Sequence, residues 1–148
     1  MKRFRFSLEQ VLHWRRIQFD QAALRLQQLE QERSALEKES EELESGLQLA
    51  IQQVTGKLLI DPQELRSLAI FQTHIERRKE ELAATIQGCI QRIAQQKKQC
   101  VHAHTELRLL EKLKERRLDE WRKLTDRELD ELASETFLAQ WARVNRSI

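Results

Sequence analysis

Between Leu12 and Val54 the apolar residues return at alternating gaps of three and four. In one heptad register the a positions are Leu12, Phe19, Leu26, Arg33, Ser40, Leu47 and Val54. The d positions are Arg15, Ala22, Leu29, Leu36, Leu43 and Ala50. The residues between them are mostly Gln, Glu, Arg, Lys and Ser. This predicts a helix with a narrow apolar seam, too thin for a globular core and suited to one partner helix. Arg33 and Ser40 interrupt the seam, as polar residues do where register and partner choice are set.

A second seam begins at Leu65. Its a positions are Leu65, Gln72, Lys79, Ile86, Ile93, Cys100, Leu107, Lys114 and Trp121. Its d positions are Leu68, Ile75, Leu82, Cys89, Gln96, Ala103, Leu110, Arg117 and Leu124. The join is well marked: in Ile60-Asp61-Pro62-Gln63-Glu64-Leu65, Asp61 is an N-cap, Pro62 stands at N1, Glu64 at N3, and Ile60 and Leu65 at the staple positions. Gly56 suits the left-handed residue that ends a helix. Ser7 is the matching cap of the first helix, with Gln10 at N3 and Phe6 and Val11 as its staple. The elements are therefore helix 1 over about 8–55, a turn over 56–61, and helix 2 over about 62–124. So short a turn returns the second helix antiparallel to the first.

The expected fold is all-α: a long two-helix antiparallel left-handed coiled coil with an overhanging C-terminal helical segment, in a single domain. With the turn centred near residue 58, Leu29 should lie near Ile86 and Ala22 near Ile93. Helix 1 then runs out of partners near residue 108, leaving residues 109–123, LLEKLKERRLDEWRK, alone. After Leu124 the spacing slips, and the chain either continues helix 2 or breaks into a short helix to about 144. An overhang of about 30 residues spans roughly 45 Å, and its apolar stripe needs another protein for stability.

Composition supports this reading. Charged residues make up 34%, with three Gly and one Pro, the balance of long helices rather than of a turn-rich globule. The net charge of +2 is too small to announce a nucleic-acid binder. It is unevenly spread: net +3 over residues 1–20, −5 over 30–45 and +5 over 92–127. The exposed face containing Arg108, Lys112, Lys114, Arg116, Arg117, Arg122 and Lys123 is either solvated or offered to a partner with an acidic loop. Phe4 and Phe6 likewise serve either internal contacts or a partner.

No apolar run is long enough for a membrane span, and MKRFRFSLEQ lacks the apolar core of a secretion signal. Cys89 and Cys100 lie too far apart along one helix to form a disulfide. His102 and His104 diverge by about 200° on a helix, and neither is completed to a metal set. There is no phosphate loop, nucleophile elbow or paired-carboxylate pocket. The expectation is a non-enzyme with no cofactor, no metal and no nucleic acid, in the cytoplasm.

Three stretches in order carry a family resemblance. FRFSLEQVLHWRRIQFDQAALRL at the N-terminus, FQTHIERRKEEL after the turn, and LEKLKERRLDEWRKLTDRELDELASETFLAQ toward the C-terminus resemble the flagellar type III export protein FliJ family. The resemblance implies a stalk that binds the hexameric export ATPase FliI, promotes its ring assembly, contacts the export gate protein FlhA and handles export chaperones. Such a protein is cytoplasmic and peripheral, through its partners, at the cytoplasmic face of the inner membrane. It also implies ATPase contacts at the end carrying both termini, with Phe4, Phe6, Leu8, Leu12, Arg15, Arg108, Lys112, Arg116, Arg117 and Trp121 as candidates. Phe71 and Ile75 are the gate-contact candidates. This chain has no Tyr, whereas the family's gate surface on helix 1 can carry tyrosines. The alternatives are the equivalent stalk of a virulence-type secretion system and a generic coiled-coil scaffold that homodimerises through the C-terminal stripe.

Overall fold

The computed structural model describes residues 2–147. They form two helices, α1 (Glu9–Thr55) and α2 (Pro62–Arg146), and no strand among the described residues. The fold is an all-α, two-helix coiled-coil hairpin. The chain divides into two compact units: residues 20–102 form one, and residues 1–19 with 103–148 form the other.

In the unit of residues 20–102 the helices run antiparallel. Leu29, Cys89 and Ile93 form a buried cluster with Leu26 against it, and Leu47, Ile75 and Leu82 are also buried. Each buried Leu or Ile among them contributes about 1.5–3 kcal/mol by leaving water. Polar residues in the seam and beside it find partners across the helices. Gln96 Nε2 donates to the Ala22 carbonyl at 3.0 Å, Arg78 bridges to Glu39 at 2.9 Å, and Lys79 pairs with Glu44. Arg33, by contrast, turns to Glu37 on its own helix at 2.9 Å.

These contacts shift the expected register. Leu29 meets Cys89, whose Sγ lies 3.4 Å from the Leu29 carbonyl oxygen, rather than Ile86. Ala22 meets Gln96 rather than Ile93. At these two positions α1 thus reaches about two residues, half a turn, further along α2 than a turn centred on residue 58 implies.

At the bend, Asp61 Oδ1 accepts from the Gln63 backbone N–H at 3.0 Å, and its carbonyl from Leu65 N–H at 3.1 Å. Pro62 opens α2, where its missing N–H costs nothing. Lys57 closes the loop onto Glu64 at 2.8 Å. Gly56 departs from expectation, because no glycine has positive φ among the described residues. Its N–H donates to the Gln52 carbonyl at 2.9 Å, continuing the helical ladder. Glycine matters here through close approach: a Cβ would stand 2.7 Å from that carbonyl oxygen.

In the unit of residues 1–19 and 103–148, α1 starts slightly later than the Ser7 cap implies. The Glu9 N–H donates to the Phe6 carbonyl at 3.2 Å and Leu12 N–H to the Leu8 carbonyl at 2.9 Å. The expected Phe6–Val11 staple gives way to a deeper contact. Phe6, Leu12 and Leu107 form a buried cluster, with Phe4, Leu8, Phe19, Leu110 and Leu113 packed on it, while Val11 is exposed.

The expectation that α2 stands alone from residue 109 is therefore corrected. Leu110 and Leu113 join the cluster, Lys114 bridges to Glu9 at 2.8 Å, and Phe4 packs against Trp121 with ring centroids 5.9 Å apart and planes tilted by 55°. The cause is the non-helical lead-in. Extended chain advances about 3.3 Å per residue against 1.5 Å in a helix, so the lead-in from Glu9 back to Phe4 covers α2 from Lys114 to Trp121, about two turns. Beyond Thr125 every described residue is exposed, yet α2 continues without a break to Arg146.

Candidate partner-binding surfaces

The aromatic and aliphatic candidates near the N-terminus come together, but mostly with one another. Leu12 is fully enclosed and Phe6 is buried. Phe4 and Leu8 are half-buried against them, and Trp121 is half-buried beneath Phe4. Their apolar area is largely spent on holding the lead-in and α1 to α2. Arg15 pairs with Glu106 and lies 4.7 Å from the Trp14 ring centroid, a cation–π distance.

The cationic candidates are the outward ones. Lys112, Arg116 and Arg117 are exposed and have no ion-pair partner among the described residues. Arg108 is exposed too, and its guanidinium is engaged by Glu111 at 3.2 Å. Arg108, Lys112 and Arg116 follow one another at four-residue intervals, so they share one helix face. Unpaired surface cations cost little in water and retain their charge for a partner.

At the bend end of the other unit, Phe71 and Ile75 separate. Ile75 is 4% exposed, whereas Phe71 is 39% exposed. Phe71 borders an open groove of about 480 Å³, lined also by Ala50, Val54, Lys57, Glu64 and Leu68. Ile75 is therefore buried in the helix pair, and only Phe71 keeps surface at the groove. Two charged groups in this unit are shifted from their ordinary behaviour. Hydrogen bonds from Lys79 first and Gln48 second, with the Lys79 charge, hold the Glu44 carboxyl below its ordinary 4.5. Hydrogen bonding to Glu39 raises Arg78.

Two further surfaces are apolar and exposed; the first was not singled out in the sequence, while the second is the stripe after Leu124. The loop carries Leu58 and Leu59, both almost wholly in water, and the signal was three successive apolar residues in a turn. The C-terminal part of α2 exposes Leu129, Leu132, Phe137, Leu138, Trp141 and Val144. Among the described residues no group of acidic, His or Cys side chains could hold a metal. No described helix is long and apolar enough to cross a membrane.

The family profile described as Flagellar FliJ protein matches residues 4–141. No curated protein and no solved structure gives a significant match.

Proposed function

Because the chain belongs to the flagellar FliJ family, with its role in flagellar protein export, we propose that it is a non-enzymatic coupling protein between the export ATPase FliI and the export gate protein FlhA. It promotes assembly and activity of the hexameric ATPase and handles export chaperones. It works in the cytoplasm, peripheral to the inner membrane through those partners. The observation that carries this reading is the family match across nearly the whole chain, joined to a helix hairpin whose Lys112, Arg116 and Arg117 are exposed and unpaired.

The roles divide by exposure. Leu12, Phe6 and the Phe4–Trp121 pair hold the two helices together, and the outward cations approach acidic surface on the ATPase. Charges so placed steer encounter and orientation more than they add affinity. Toward the gate, Phe71 makes contact, while the buried Ile75 stays within the helix pair.

The test is co-purification of the chain with the export ATPase, followed by ATP hydrolysis with and without it. Stable association and faster hydrolysis are expected. A chain that neither binds the ATPase nor alters its turnover overturns this assignment.

A further inference from the structure

Residues 126–146 are the longest stretch of described helix with nothing packed against it, and every side chain along it is exposed. Leu129, Leu132, Ala133, Thr136, Phe137, Gln140, Trp141 and Val144 recur at gaps of three and four or beside one another. They share one side of the helix. The aromatic and aliphatic members are not marginal: Phe137 is 67% exposed and Trp141 and Val144 each 60%. A free helix of this length is barely stable in water. Here the segment continues α2, which is already nucleated by Leu107, Leu110 and Leu113 packed around Leu12. The stripe is presented preformed.

The charges beside it are ordered. Asp126, Glu128, Asp130, Glu131 and Glu135 crowd the first part with only Arg127 against them, and Arg143 and Arg146 close the last turn. Such a sequence is complementary to its own reverse. Laid antiparallel about Thr136 and Phe137, one copy sets Leu129 opposite Val144 and Leu132 opposite Trp141 of the other. Glu128 and Arg146 are eighteen residues apart, about five turns at 3.6 residues each. They therefore lie on the same flank, and in an antiparallel pair like flanks face each other. Glu128 of each copy meets Arg146 of the other. A parallel pair would instead stack acidic residues on acidic ones, which is repulsive.

We propose that residues 126–146 form an antiparallel homodimer with the same segment of a second copy of this chain. This goes beyond the export role proposed above. Its test uses the chain alone, so the two readings fail independently. Some twenty paired residues bury an area near the lower edge of specific interfaces, roughly 1,200 Å² in total, enough for a reversible dimer.

Sedimentation equilibrium of the full chain over a range of concentrations should show reversible dimerisation. Phe137→Glu with Trp141→Glu should weaken it at least about 100-fold without loss of helicity, since both side chains are exposed. Orientation is read by disulfide trapping in a Cys100→Ser background. Thr136→Cys should link to itself. Leu129→Cys should link only when mixed with Val144→Cys. A chain that stays monomeric at every concentration overturns the proposal and leaves the stripe to another protein. So does a dimer indifferent to the two glutamates, or a Leu129→Cys chain that links to itself.

Discussion

Leu12 shows how much a single side chain carries in a structure with so thin a seam. It has no exposed surface, and its neighbours Phe6 and Leu107 are the other buried members of its cluster. Leu12→Ala should cost about 2–5 kcal/mol through lost burial and the cavity left behind. Leu138→Ala, on an exposed stretch, should fall within about 0.5 kcal/mol of the parent; denaturant unfolding of the two variants makes the comparison. Glycines separate in the same way. A Cβ at Gly46 meets nothing within 4 Å, and Gly46→Ala in α1 should stabilise by about 0.5–1 kcal/mol. Gly56→Ala should destabilise by about 1 kcal/mol, because the Gln52 carbonyl must move. Glu44 provides a pH signature. Its native carboxyl titrates below 4.5, so its pairing with Lys79 is fully present above that value and lost as pH falls through the native pKa. Glu44→Gln should melt at a lower temperature at neutral pH, and the gap should close in acid. A gap constant from pH 7 to pH 3 would mean that the pair contributes nothing.

At the scale of the element, the heptad pattern located the buried line of α1 closely. Every a and d residue from Leu12 to Val54 is buried or half-buried, including Arg15, Arg33 and Ser40. The α2 seam was equally legible from Leu68 to Lys114 except at Gln72. It then slips: Leu118 and Thr125 are half-buried, whereas Arg117 and Leu124 face solvent. Leu110, Lys114 and Leu118 are spaced by fours, which lifts the local period above 3.5 and carries the stripe off the heptad line. The position of the slip escaped the sequence because Arg117 and Leu118 are adjacent and both satisfy a coarse periodicity. Register escaped for another reason. It depends on where the chain folds back between Thr55 and Pro62, and periodicity carries no information on that. The slip also turns Arg117 outward beside Arg116. Arg116→Glu with Arg117→Glu should therefore leave helicity unchanged and weaken ATPase binding roughly tenfold at low salt, less at high salt. Circular dichroism and a binding titration at two ionic strengths read both effects.

For the molecule as a whole, few side chains carry the fold. Among the described residues nine hydrophobic side chains are buried, from Phe6 to Leu107, and ion pairs between exposed partners add only about 0–1 kcal/mol each. A protein so constituted draws stability from what it binds. Adding the ATPase at about 100 times its dissociation constant should stabilise the native chain by about 2.7 kcal/mol. The melting temperature, followed by a probe on this chain, should rise accordingly; no change would argue against a complex in solution. Family membership was legible because three stretches in fixed order survive without any one diagnostic residue. The candidate contacts were legible only as a neighbourhood, since composition cannot distinguish a phenylalanine that holds two helices together from one that waits for a partner.

The short loop held by the Asp61 cap and the Lys57–Glu64 bridge has a kinetic corollary. Contacts between the helices of its unit join residues separated by 35, then 39, 60 and 74 positions as they recede from the bend. Each newly formed contact enlarges an already closed loop only slightly, and that increment costs little entropy. Refolding of this unit should start at the bend and zip outward. Defects introduced close to it will slow folding, while those introduced far from it will mainly hasten unfolding.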